Sequence, residues 1–410
     1  MRGAGLPPVP VPAHVPAERV FDFDFFDPPG VAEDVHLAWR RLHDQAPDVF
    51  WTPRNGGHWV ATRGEAIREI QLDHERFSHR NFTLPVDKNQ LFTPLPLGLD
   101  PPEHAPFRKI IMPAFLPKVV NALEERVREI ARDLVRGLAP RGACDFIEDF
   151  ARHLPIAVFM SVVDLPMSDR ETLLPWAEIV VRSPDVDARR QAQANMHGYL
   201  SKWVAERREN PGDDLISKVV HAEVDGRPIT NAETFALLSL VLFGGLDTVA
   251  SMMGFIARFL ALNPEHRRDL LEHPEIRKNA IEELIRRHGV SNTARYVTHD
   301  LEFHGVVLKE GDMIQVPNLL YGLDDRIVDD PLKVDFRRED VPLAAFGAGP
   351  HTCPGAVLAR REIAVFIDEW LPRIPEFGLK PGARPAMASG LVNGVTRLEL
   401  VWDPATTRDV

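Results

Sequence analysis

The chain has 410 residues, 44% hydrophobic and 26% charged, a composition that fits an ordinary globular protein with a deep core. Sixty acidic residues against 48 basic ones give a formal charge of −12, which argues against a general nucleic-acid-binding surface. Two cysteines, Cys144 and Cys353, are too few for a disulfide framework and point to a reducing cytoplasm.

Residues 1–18 are rich in proline and lack a continuous apolar run, so they read as an extended strap over the surface rather than a secretory signal or membrane anchor. His58–Thr62, preceded by the turn signal Gly56-Gly57, reads as a short strand. A proline-rich loop follows at Pro94–Pro102. Val119–Gly137 places apolar residues at three- and four-residue spacing with charges on the other face, the pattern of an amphipathic helix. Residues 187–208 and 264–288 repeat that pattern. Thr230 and Glu233 fit a capping box opening a helix of about 32 residues that ends before Asn263-Pro264, roughly 48 Å long. Its apolar stretch 235–262 has the length of a bilayer span, but Asp247, Thr248 and Arg258 within it favour a buried core helix and no membrane. Residues 302–308 and 397–402 read as strands, the former followed by a turn at Lys309–Asp312, and a second long loop runs from Asp340 to Pro354. Internal repeats and Gly/Ser linkers are lacking, so the expectation is one mainly α domain over residues 1–410 with a small β-rich portion.

Three features carry chemistry. Gly244 and Gly245 sit in mid-helix, where each costs roughly 1 kcal/mol relative to alanine. Either another element packs closely there, or the missing side chains leave room for a planar cofactor and a small ligand. Asp247 and Thr248 just beyond would open the helix locally and pass protons; a buried acid and hydroxyl are otherwise costly. Cys353 lies in a loop with Gly347, Gly349 and Gly355, ahead of a helical run at 356–371. Glycines let backbone amides approach a sulfur, and a helix N-terminus favours negative charge, so the setting suits a thiolate. Thr352 stands where a dinucleotide-binding loop requires glycine, which sets that use aside. A single cysteine so placed suits thiolate ligation of haem iron. Third, Glu283 and Arg286 are three apart and face each other on a helix, as a solvated surface pair also would.

Together these residues resemble the cytochrome P-450 superfamily. Phe346–Gly355 matches its haem-binding signature, Glu283–Arg286 its Glu-x-x-Arg pair, and Gly244–Thr248 its oxygen-activating helix kink. The likeness spans the chain and is greatest to the bacterial camphor 5-monooxygenase group, through Asn55–Gly64, Asp100–Glu103 and Val401–Thr407. It implies the cytochrome P-450 fold and a haem b whose axial ligand is the Cys353 thiolate. It also implies insertion of one atom of O2 into an unactivated C–H bond, with Asp247 relaying protons and Thr248 holding the bound oxygen. Cofactor-binding positions would be His104, Arg108, Gly244, Arg295, Phe346, His351 and Gly355, the cations among them holding the haem propionates. Glu283, Arg286 and Arg338 would form a buried ion-pair group that pins the cysteine loop. The substrate pocket would be lined by Thr83, Phe92, Leu97, Leu240, Phe243, Ser291, Leu391 and Val392, a set with two hydroxyls and no charge.

Two departures stand out against that background. Phe92 occupies the place of the tyrosine that binds the camphor ketone, and Phe243 is bulkier than the usual valine, so the expected substrate is a compact apolar monoterpenoid or norisoprenoid: an ionone, a cineole or a camphor relative. Pro354 has no N–H to offer the sulfur, which would leave the thiolate one donor short and lower the haem potential. Electrons would come from a small acidic [2Fe–2S] ferredoxin served by an NADH-dependent flavoprotein reductase. Arg68, Arg108, Arg360 and Arg361 are candidates for its docking patch, and Asp340 replaces a lysine of the relatives. A monomer is expected. The competing readings are a haem-thiolate peroxygenase or isomerase, which would not need the intact Asp247-Thr248 pair, and a haem-sensing Cys-Pro protein, which would not need Glu283 and Arg286.

Overall fold

Prolines at 7, 8, 10, 12 and 16 keep the N-terminal strap extended, and it lies on the first hairpin of the fold. The Val9 N–H donates to the Pro53 carbonyl at 2.9 Å, and His14 Nε2 lies 2.9 Å from Asp312 Oδ2. The computed structural model describes residues 6–87 and 93–408. Strands β1 (Val49–Thr52), β2 (His58–Ala61), β3 (Phe77–Ser78), β4 (Asn292–Val297) and β5 (Met313–Pro317) form one sheet in the order β1-β2-β5-β4-β3. β5 runs parallel to β2, and the other neighbours are antiparallel. Every residue of β1 and β2 is buried, because the strap and the helices cover both faces.

The helices supply most of the chain. Those that build the site are α1 (Gly64–Leu72), α2 (His104–Ile111), α3 (Pro117–Leu138), α4 (Arg170–Arg182), α5 (Val186–Glu209), α6 (Asn231–Leu246), α7 (Thr248–Leu262), α8 (Arg277–Arg287) and α9 (Ala356–Arg373). α3 contains the amphipathic segment read from the sequence, and its buried stripe of Val120, Val127, Ala131, Val135 and Leu138 packs along α9. Asp185 caps α5 by accepting the N–H groups of Asp187 and Ala188. The capping box of α6 is formed: Thr230 Oγ1 accepts from Glu233 N–H, and Glu233 Oε2 accepts from Thr230 N–H at 2.9 Å. One apolar cluster runs from Val15 to Trp402, with a second under α4, α5 and α6.

The long helix opens at Asp247, as the sequence suggests, into two helices, with a φ of −118° at that residue. By length and hydropathy the pair would cross a membrane, but ten of the fifteen residues of α7 are buried, the burial of a core helix. Three other elements differ from the sequence expectation. Residues 264–288 break at His273, since Pro274 disfavours helical geometry in the residue before it. Residues 301–308 form a hairpin, Leu301–Phe303 against Val306–Leu308, around His304 and Gly305 at φ 44° and 78°. The last stretch is likewise split, Gly394–Arg397 pairing with one strand and Glu399–Val401 with others.

Candidate active site

Two glycines at φ +69°, Gly347 and Gly349, shape the loop before α9. Gly349 is required twice over: a Cβ there would stand 2.9 Å from the Gln71 carbonyl of α1. The loop closes when the Cys353 N–H donates to the Phe346 carbonyl at 2.8 Å. Burial raises the Cys353 thiol above its ordinary value; a hydrogen bond from the Gly355 N–H, then the charges of Arg108 and Arg360, act the other way. The residue is nonetheless solvent-accessible, although protein atoms crowd around the sulfur. Arg108 Nη2 donates to the Thr352 carbonyl at 2.5 Å, beside the sulfur. Arg360 lies 4.6 Å from the centre of the Phe346 ring and grips Glu282 with two bonds of 2.6 and 2.9 Å.

Across the helix break, the two glycines divide the two meanings the sequence left open. A Cβ on Gly245 would stand 2.9 Å from the Phe159 ring, so this glycine serves close packing. A Cβ on Gly244 would meet nothing within 4 Å, and the residue is exposed in mid-helix. Thr248 Oγ1 donates to the Gly244 carbonyl at 2.9 Å, a side-chain bond of the kind that opens helices. Asp247 is buried and clamped by Arg182, with Nη1 to Oδ1 at 2.7 Å and Nη2 to Oδ2 at 2.6 Å; Arg182 Nη2 also reaches Ser251 Oγ at 2.6 Å. Neither Arg182 nor Ser251 belongs to a sequence motif, and both were missed for that reason.

A polar cluster lies beside the loop. His79 stacks on His351 with ring centroids 3.6 Å apart, and His104 meets His351 edge-on at 4.5 Å. Burial pushes His351 down to about 2 and His104 to about 4, and holds His79 well below its ordinary value. Arg295, buried on β4, donates to Thr293 Oγ1 at 3.0 Å and to the Ala294 carbonyl at 2.8 Å, and burial lowers it to about 9.

Behind the loop sits an ion-pair knot. Arg286 binds Glu283 through Nε to Oε2 at 2.7 Å and Nη2 to Oε1 at 2.8 Å, both side chains fully buried. Arg338 Nε adds contacts of 3.2 and 3.3 Å, and the Asp335 N–H donates to Oε1 at 3.0 Å. The remaining Arg286 donors go to the carbonyls of Gly322, Pro331 and Lys333. This is no solvated surface pair.

The comparisons with known proteins agree with this geometry. The cytochrome P450 family model matches residues 32–374. Cytochrome P450 127A1 of Sinorhizobium fredii is 36% identical over 402 residues, which are 96% of this chain and 97% of the relative. The chain belongs to the cytochrome P450 family. Among solved structures, that of CYP101J2 has a TM-score of 0.88 at 39% identity and that of CYP101C1 a TM-score of 0.87 at 39%; each match covers 96% of this chain and 100% of the other.

As a P450, the protein is a monooxygenase that uses O2, redox partners and a haem b on an axial cysteine thiolate. The residues fit that group. Cys353 is solvent-accessible and free of a disulfide, and a Cβ on Gly244 would meet nothing within 4 Å. Both nitrogens of His351 and His79, and Nε2 of His104, are buried without a protein partner among the described residues. An unsatisfied buried group costs about 1–3 kcal/mol, and each of these three neutral rings has one N–H to donate, so the cluster beside Arg108 and Arg295 suits a ligand with acceptor oxygens. The haem carboxylates are such a ligand.

Of the residues assigned to a substrate pocket, Phe92 lies outside the described residues. Ser291 bridges to Val392, the Asn292 N–H donates to the Leu391 carbonyl at 2.8 Å, and the Ala294 N–H donates to the Phe82 carbonyl, next to Thr83, at 2.8 Å. These three segments meet at the start of β4. Leu240 and Phe243 lie on α6 and Leu97 in the turn before α2. The Ser291 hydroxyl is already engaged, accepting from Asn318 Nδ2 at 2.9 Å.

Proposed function

We propose that this P450 hydroxylates a compact apolar terpenoid, a monoterpenoid or norisoprenoid, with electrons from an acidic [2Fe–2S] ferredoxin and its NADH-dependent reductase. What carries the substrate reading is the chemistry of the lining set: no charge, bulky Phe243 buried on α6, and one of its two hydroxyls spent on Asn318. Such a pocket orients its ligand by shape. Haem b held by Cys353 supplies the activation of dioxygen. Cys353 receives one N–H, from Gly355, while His104, Arg108, Arg295 and His351 hold the carboxylate edge of the cofactor. Thr248, whose O–H is held by the Gly244 carbonyl, would offer its hydroxyl oxygen to the haem site, and Asp247, held in place by Arg182, would relay protons to that site. The knot of Glu283, Arg286 and Arg338 keeps the cysteine loop in register.

The ferredoxin reading draws on the surface beside the cysteine loop. An open groove of about 670 Å³ lies between α2 and the loop, lined by Arg108, Lys109, Met112, Leu116 and Pro350. Leu116 in its lining and Leu72 beside Gly349 are exposed apolar side chains. An apolar groove flanked by cations suits an acidic partner carrying an apolar contact residue. Of the other docking candidates, Arg360 is engaged by Glu282 and Arg361 by Glu124, so Arg108 and Lys109 carry the charge at the groove. We further read the chain as one domain and a monomer. Its two unpaired cysteines support a cytoplasmic location.

The test is a spin-state titration of the haem-loaded protein against ionones, cineoles and camphor, with steroids and macrolides as controls. Product analysis follows, with NADH, ferredoxin and reductase. A high-spin shift and a hydroxylated product are expected for at least one terpenoid. Shifts confined to the large controls would refute the substrate class.

A further inference from the structure

The propionate reading accounts for His104, Arg108, Arg295 and His351, but two of the five unpaired imidazole nitrogens belong to a residue outside it. His79 lies 25 positions before His104, just past β3, in a segment without a motif. The register of the sheet explains its position. β3 pairs Phe77 with Val297 and Ser78 with Tyr296, so the next step along the strand sets His79 across from Arg295. Its backbone N–H donates to Asp100 Oδ1 at 2.9 Å, and Ser78 Oγ takes the other oxygen of that carboxylate. Asp100 is thereby occupied by the turn, and His351 Nε2 stands 3.9 Å from it. The imidazole of His79 is left with a ring neighbour but no hydrogen-bond partner among the described residues.

We propose that His79 is a third imidazole ligand of the haem carboxylates and that its stacking fixes the plane of His351. The inference rests on the haem reading of this site. A neutral imidazole has one N–H to donate, and His79 lies against His351 and within reach of the charges of Arg295 and His104. The two rings lie 27° from parallel. His351 therefore cannot tilt out of its plane without losing the stack on His79, which would keep its N–H toward the ligand. Neither role needs a change of protonation.

The test compares His79→Phe, His79→Ala and His79→Gln as haem-loaded proteins, reading the rate of haem transfer to excess apomyoglobin. The Phe variant keeps a ring to stack but no donor, and should release haem about 10-fold faster, the equivalent of one hydrogen bond. The Ala variant also frees His351 and should be faster still; the Gln variant keeps an N–H donor and should stay near the parent rate. In the haem-free protein the Phe variant should unfold at no lower urea concentration than the parent, because two unpaired buried nitrogens are gone. An unchanged release rate in the Phe variant would overturn the ligand role, and equal rates for Phe and Ala would overturn the stacking role. A lower urea midpoint for the haem-free Phe variant would mark His79 as merely structural. If the parent itself lacked the red-shifted band of a reduced carbon monoxide complex, the haem reading would fall. A normal band with an unchanged Phe variant overturns His79 alone.

Discussion

Glu362 makes the stability of this fold depend on pH, although its side chain is hidden from water. It lies on α9 at 2% exposure, and its Oε2 has no hydrogen-bond partner among the described residues. Burial pushes its carboxyl up to about 8 from an ordinary 4.5. Below pH 4.5 both folded and unfolded chains hold the proton. Between pH 4.5 and about 8 only the folded chain holds it, so this group makes stability fall as pH rises through that window, and the effect levels off above it. The separation corresponds to about 5 kcal/mol at most, and relaxation of the site or entry of water would reduce it. Glu362→Gln retains the shape of the protonated side chain and removes the ionisation. Urea unfolding of the two haem-loaded proteins at pH 5 and pH 8.5 measures the difference. The two should be close at pH 5, and the Gln variant should be more stable by about 2–5 kcal/mol at pH 8.5. A difference that does not vary with pH would refute the assignment of a neutral buried acid.

The other predictions concern the two faces of the active site. In Gly394→Ala, the new Cβ would collide with Arg182 Nη2 and stand 2.9 Å from Ser251 Oγ, so the guanidinium must withdraw from Asp247. Product per NADH should fall about 10-fold with substrate affinity unchanged; unaltered coupling would show that the clamp does not position the acid. Pro354→Leu gives the cysteine loop one more N–H beside a sulfur that receives one from Gly355. If it reaches the sulfur, the haem reduction potential rises by on the order of 50 mV, and an unchanged potential in a redox titration would reject a missing donor at Pro354.

Much of the fold was legible because local rules agreed with tertiary ones. The stripe of α3 and the capping box of α6 are written within one segment each, and tertiary contacts left them unaltered. Where a proline or a left-handed turn intervened, as at Pro274 and at His304-Gly305, periodicity over a window blurred two elements into one. The site shows the same limit. Cys353, Glu283 and Arg286 sit in contiguous patterns whose spacing follows a helix or a loop. Arg182, Ser251 and His79 act through contacts 65, 69 and 272 positions away, and no spacing in the sequence encodes those. Gly244 and Gly245 mark a third case: adjacent and identical in type, they differ only in what lies opposite each, which is a tertiary fact.

The Glu283–Arg286 knot has a consequence for how this chain can change in length. Carbonyls at 322, 331 and 333, the amide of 335 and the guanidinium of 338 are all tied to the same two side chains. The stretch from 322 to 338 is thus measured off against a fixed post, much as a ruler is read against a peg, and Cys353 follows at a set distance along the chain. Inserting or deleting one residue within it would displace several of these contacts together and leave buried charges unmatched. Side-chain substitutions there should be far better tolerated than a change of length, since most of the ties are made by the backbone.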